Sequence, residues 1–393
     1  MRKCKNIIFF SNYTDIRAGG PAGYIANLES SIKNFYKQTD IIFINEKTIE
    51  KKLKLTRFIG RVICLLIPFQ KLRRRMRNLI VNKYRLFSYI LNRYQFKTIT
   101  THTIEDTLFI HKYIQSHGIK ATLLQMSHSP QPPSQEIYDN ALSNNEKNAK
   151  VKYKHAQEQE LLAFNTADMY IFPSPESVEC YSKPLLYFNK LLTTHPIKYV
   201  RTGCRALETD KTCDEMRKAY GITTKFVISY IGRHNSIKGY DILKKIAEKI
   251  FKIRDDVTFL IGGRPSEITP LNHPRWIELG QINPADVLVT TDLFILPNRQ
   301  TYFDLILLEV LSTGVPVIAS NTGGNKTVYL DTKAITLYEN VDDCVEKIIQ
   351  ILKLPKSKIN SLRSNTKQAY LNNYTLECFA RNYTNMISEV CNE

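Results

Sequence analysis

Short apolar runs separated by helix-length polar intervals set the terms on which this chain can fold. The first half carries KNIIFF near the N-terminus, DIIFIN at 40–45, ATLLQMS at 121–127 and MYIFPS at 169–174. The second half carries KFVISYIG, VTFLIGG, LFILPN and PVIAS, each a helix length from the next. Strands that alternate with helices imply parallel sheets. Near residues 193–207 the pattern lapses into THPIKYVRTGCRAL, so a second domain starts near residue 203. With 393 residues, 43% of them apolar, the chain is too long for one ordinary domain and has apolar mass enough for two. The expected architecture is α/β, with two doubly wound domains at 1–202 and 203–375. A closing helix at 376–393 is expected to return to the first domain. The ligand site then belongs in the interdomain cleft, where strand C-termini face each other.

Several other classes are disfavoured. Eight cysteines are scattered without a CxxC pair or other metal-ligand spacing, which argues against a zinc site or a disulfide framework. The apolar run after Arg2, Lys3 and Lys5 is only Ile7 to Phe10, a strand rather than a signal peptide, so a cytoplasmic, reduced protein is expected. The net charge of +18 is concentrated: residues 51–97 hold fourteen Lys or Arg and no Asp or Glu, and the rest of the chain carries only +4. A general nucleic-acid-binding surface does not fit that distribution, and the block contains no recognised reading module. Its apolar insert, Phe58 to Phe69, is broken by Arg61 and Pro68 and is too short to span a bilayer. Cations interleaved with apolar residues instead suit a helix lying on an anionic membrane surface; a helical insertion packed on the first domain is the plainer alternative.

Two motifs fall where the cleft is expected. Gly232, Arg233 and Lys238 follow the strand KFVISYI, and two cations reaching one point suit a diphosphate. Downstream, a helix is expected from about Asp304 to Gly314, and its free amides would favour an anion. Glu309 lies about 12 Å of helical rise from Thr301, roughly the span from ribose to transferred sugar in a nucleotide sugar. In the first half, Gly19 and Gly20 follow the first strand, and His128 precedes the rigid stretch Ser129 to Pro133. No GxGxxG stands in that first loop, which disfavours a dinucleotide dehydrogenase.

Together these elements resemble the retaining glycosyltransferases of family 4 (GT-B fold, glycosyl transferases group 1), with two facing Rossmann-like domains. The likeness runs closely through GRxxxxKGYD, the IELGQ strand-turn with Gln281, TTDLFILP, LLEVLSTGVPVIAS and Gly323-Gly324, and loosely through the first half. The resemblance implies that Arg233 and Lys238 neutralise the leaving diphosphate and that Glu309 accepts the ribose hydroxyls. Amides near Phe303, Asp304 and Leu305 would hold sugar or phosphate, Gly19 and Gly20 would close over the diphosphate, and His128 would face the reacting centre. Two departures stand out: Thr301 replaces the usual first glutamate, and Asp304 replaces the usual glycine. Either Asp304 substitutes as a hydroxyl acceptor, or sugar recognition differs, or activity is lost.

The resemblance further implies transfer of a sugar from a nucleotide-sugar donor to a glycan acceptor. By family habit that acceptor is lipid-linked, as in bacterial surface polysaccharide or O-antigen synthesis, and the enzyme is peripheral at the inner face of the cytoplasmic membrane. No cofactor or metal is expected, since no DxD pair stands at a strand end. The alternative is a non-catalytic nucleotide-sugar-binding subunit that partners an active transferase.

Overall fold

The computed structural model describes residues 4–15, 20–37, 39–66, 82–266 and 268–392. In the first domain, β1 (Lys5–Phe10), β2 (Ile41–Asn45), β3 (Phe96–Thr101), β4 (Thr122–Met126), β5 (Met169–Phe172) and β6 (Ile197–Tyr199) form one sheet in the order β2-β1-β3-β4-β5-β6. The second contains β7 (Phe226–Ile231), β8 (Val257–Gly262), β9 (Trp276–Gly280), β10 (Leu293–Leu296), β11 (Val317–Ser320) and β12 (Thr336–Tyr338), in the order β12-β11-β10-β7-β8-β9. All the pairings are parallel. Residues of β8 are buried throughout, as expected for a strand covered by helices on both faces.

In each sheet the chain winds outward and then returns beside its starting strand. The order therefore reverses between β1 and β3 and again between β7 and β10, which makes the C-terminal ends of those strands the natural ligand crevice. Four strands have no counterpart among the apolar runs, and one of them, β9, is expected only through the IELGQ strand-turn. β3 reads FKTITT, its interior held by buried Thr98, Thr100 and Thr101, while β6 and β12 are three-residue edges.

The two domains share one apolar cluster instead of meeting across water. Tyr302 packs its ring 5.7 Å from Phe172 and donates its hydroxyl to the Ile171 carbonyl at 3.3 Å. The last helix, Leu376–Asn392, lies on the helix Gly20–Phe35 of the first domain, with Phe379 5.1 Å from Tyr24 and the Tyr383 hydroxyl 3.1 Å from Thr100 Oγ1. Among the described residues no helix is long and apolar enough to cross a membrane.

Candidate active site

At the end of β7 the chain turns at Gly232 and presents Arg233 and Lys238 to the cleft through a loop braced on several sides. The Lys238 amide donates to Asn235 Oδ1 at 3.0 Å, and the Arg299 amide donates to the Ile237 carbonyl at 2.9 Å. The Arg299 guanidinium grips Asp241 through two bonds of 2.6 and 2.5 Å, a forked geometry that also holds the Asp241 carboxyl below its usual range. His234 is buried behind the loop, with its ring stacked on Tyr240 at 4.1 Å. Gly239 has φ +68°, and a Cβ there would run into the Pro297 carbonyl, so only glycine lets this loop lie against the end of β10.

The facing element is the helix Leu305–Thr313, which Gly314 terminates in a left-handed conformation. Asp304 occupies the N-cap position but its side chain caps nothing. Its carboxylate meets Lys238 Nζ at 2.5 Å and also accepts from the Asn298 side-chain amide. The helix's first turn therefore has no side-chain cap, and Leu305 and Ile306 line the cleft where an anion can be met by free amides. One turn on, Glu309 lines the same space, and burial pushes its carboxyl up to about 7.

The first-domain wall is neutral. His128 follows β4 and His102 follows β3, and because these strands are neighbours, His102 Nδ1 lies 2.8 Å from His128 Nε2. One N–H serves that contact. Burial pushes His102 down to about 3, and burial together with the neighbouring histidine holds His128 well below the ordinary imidazole range, so both rings are uncharged at neutral pH. Tyr24 packs 4.5 Å from the His128 ring. Asn27 adds a buried side chain whose carbonyl oxygen has no hydrogen-bond partner. Across the mouth, Arg233 Nη1 lies 3.7 Å from Glu136 Oε1.

The cleft encloses about 1120 Å³. A second cavity of about 650 Å³ runs from it into the first domain, sharing Gly20, His128, Pro130 and Arg233. Of the expected site residues, Gly20, His128, Gly232, Arg233, Lys238, Asp304, Leu305 and Glu309 converge on the larger space. Gln281, Thr301 and Phe303 do not line it, and Gly19 lies outside the described residues. Gln281 is exposed on the surface, and Ile282 and Asn283 take the lining position instead. Thr301 is fully buried with its hydroxyl unpartnered, because the 301–303 segment turns into the domain interface, and Phe303 packs 6.1 Å from Tyr374. Asn27, Arg205, Arg264 and Asn298 line the cleft without having been singled out from the sequence. Only Asn298 had a usable signal, its place at the end of the run LFILPN. Among the described residues no three His, Cys, Asp or Glu side chains converge as a metal-binding group.

Residues 225–354 match the family described as Glycosyl transferases group 1, and that stretch is a domain of that family. The chain is 28% identical over 150 residues to N-acetyl-alpha-D-glucosaminyl L-malate synthase of Bacillus anthracis, covering 35% of this chain and 39% of that protein. It is 28% identical over 154 residues to D-inositol 3-phosphate glycosyltransferase of Corynebacterium urealyticum, covering 34% and 36%. It thus aligns with well under half the length of these curated relatives. Over the whole fold it resembles sucrose-phosphate synthase from Thermosynechococcus elongatus, with a TM-score of 0.68 at 15% identity, covering 98% of this chain and 99% of that one. It also resembles Anabaena HepE in complex with UDP-glucose, with a TM-score of 0.65 at 13% identity and coverage of 98% and 99%. The two-domain architecture is the GT-B fold.

Proposed function

We propose that this chain is a retaining glycosyltransferase that moves a sugar from a nucleotide-sugar donor to a glycan acceptor. The observation that carries the reading is the convergence of Arg233, Lys238, the uncapped start of the helix Leu305–Thr313 and Glu309 on one cleft. Two cations and free amides stabilise the charge that develops on a departing diphosphate. Glu309, one turn deeper, accepts the ribose hydroxyls. The bond from the sugar's anomeric carbon to phosphate oxygen breaks, a bond to the acceptor hydroxyl forms on the same face, and that hydroxyl's proton leaves with the diphosphate. His128, neutral and facing the cleft, lies beside the reacting centre as a hydrogen-bonding group.

The second cavity is the acceptor's place in this reading, because it opens onto the first at His128 and is walled by Ile104, Leu108 and Ile137 as well as Gln125 and Gln159. A lipid-linked acceptor fits the outer surface of the first domain. The helix Glu46–Leu66 leaves Leu55, Phe58 and Ile59 exposed beside exposed Lys51, Lys52 and Lys54, the mixture that an anionic membrane surface attracts. Synthesis of a bacterial surface polysaccharide such as O-antigen, at the inner face of the cytoplasmic membrane, is the setting we propose.

The test is turnover. Purified protein is supplied with UDP-, GDP-, ADP- and dTDP-sugars and a membrane extract as acceptor, and release of nucleoside diphosphate is followed; the HepE likeness makes UDP-sugars the first to try. Acceptor-dependent release from one donor supports the transferase. Donor binding with no turnover on any acceptor supports the non-catalytic subunit instead.

A further inference from the structure

The departure at Asp304 has a physical meaning beyond altered sugar recognition. Lys238 does not stand solvated in the cleft. Its side chain is 17% exposed and in contact with Asp304, itself 15% exposed, at 2.5 Å. The carboxylate side of this pair is fixed: Asn298 donates its side-chain N–H to it, is 1% exposed, and has its backbone carbonyl held by Ser320 Oγ at 2.6 Å. The lysine is the movable partner, a charge on a flexible four-carbon stem. The second cation is held far more loosely. Arg233 reaches Glu136 at 3.7 Å with the two side chains 51% and 40% exposed, a contact that contributes little.

We infer that Asp304 is an internal counter-anion that competes with the donor's diphosphate for Lys238, and so weakens retention of the nucleoside diphosphate product. The inference rests on the donor reading given above. When a diphosphate occupies the start of the helix Leu305–Thr313, Lys238 swings to it, leaving Asp304 an ionised, mostly buried carboxylate with Asn298 as its remaining hydrogen-bond donor. Two anions then share one site, and like charges this close oppose each other strongly where water is scarce. After sugar transfer the same competition runs in reverse: Lys238 returns to Asp304 and the product leaves. Asp304 is thus a positioning residue acting through Lys238.

The test is D304N, with D304G as a second variant lacking the side chain, both compared with wild type for melting temperature. UDP, GDP and ADP are titrated calorimetrically into each, and product inhibition is measured against the working donor. The inference expects the preferred diphosphate to bind both variants at least tenfold more tightly than wild type, with KM and kcat falling together as product release slows. If Asp304 merely props Lys238 in place, the variants bind diphosphate equally or less well, and the inference is overturned while wild-type turnover still supports the transferase. If it reads a sugar hydroxyl, nucleotide-sugar binding falls and diphosphate binding is unchanged, which overturns it as well. Absence of binding by every diphosphate to wild type and variants alike removes both this inference and the functional proposal.

Discussion

The two domains distribute charge in opposite ways. The second points Lys238, Arg233, Arg205 and Arg264 into the cleft and pairs two of them, Lys238 with Asp304 and Arg233 with Glu136 across the mouth. The first lines the cleft with uncharged groups, His128, Asn27 and Pro130, while its helix Glu46–Leu66 exposes Lys51, Lys52 and Lys54 beside Leu55, Phe58 and Ile59; the middle of the basic block, 67–81, lies outside the described residues. Inward charge suits the departure of an anion, and a neutral wall suits a hydroxyl nucleophile. Outward charge suits attachment to a surface. Under the proposed function, leaving-group chemistry and anchoring fall to different domains and different faces.

The contrast is broken most severely on the second-domain wall. Lys238→Ala should lower kcat/KM by roughly two orders of magnitude or more, comparable to loss of one preorganised donor at developing charge; steady-state kinetics would show it, and undiminished turnover removes Lys238 from the mechanism. Glu309→Gln should weaken nucleoside diphosphate and nucleotide sugar alike by about tenfold, the cost of one charged hydrogen bond. Its pH dependence is a sharper check. Burial raises Glu309 from the ordinary 4.5 to about 7, so wild-type affinity should climb as pH rises through 7, and the Gln variant should not follow. The same shift has the opposite sign for stability. Between those two values the folded state keeps a proton that the unfolded chain has lost, so Glu309 erodes stability as pH rises from 4.5 to about 7, and the Gln variant should melt higher at pH 8.

Smaller effects test the first domain. Phe58→Ser should reduce binding to anionic liposomes several-fold in flotation, and replacing Arg73, Arg74, Arg75 and Arg77 by Gln should add to the loss. Binding indifferent to lipid charge would refute surface attachment while leaving the cleft chemistry untouched. The smallest expected effect is none: the His128 ring, followed by nitrogen chemical shifts, should stay uncharged as pH falls through the ordinary imidazole value of 6.5. A titration near the ordinary imidazole value would end the description of a neutral wall.

Legibility differed between the domains for a physical reason. The central strands β7, β8 and β10 of the second domain are short apolar runs closed by glycine or proline, and its loop and helix motifs are local, so Gly232, Arg233, Lys238, Leu305 and Glu309 could be placed in the cleft from the sequence and its family resemblance. The first domain hides its logic in contacts between distant residues. β3 is built on threonines and escapes a search for apolar runs, and without β3 nothing signals that His102 sits against His128. The inward turn of Thr301 and Phe303 was equally hidden, because it depends on Tyr302 finding Phe172 in the other domain. Spacing predicts what lies along a helix; it does not predict which of two adjacent side chains the partner domain claims. The Lys238–Asp304 pair is a case of both, since its members are 66 residues apart and only the β7–β10 adjacency brings their loops together.

The docking of Leu376–Asn392 on the first domain bears on how the protein is made. Tyr24, in the first helix, finishes its packing against Phe379, and Thr100 in β3 meets Tyr383. The first domain is thus the earlier to be translated and the later to be completed: while the ribosome synthesises the whole second domain, the surface around Tyr24 waits uncovered. At the roughly 5–20 residues per second of translation, that wait lasts on the order of ten seconds or more, long enough for a chaperone to occupy it. A chain released after the second domain is complete but before the last helix would have a sound second domain and a first domain left open.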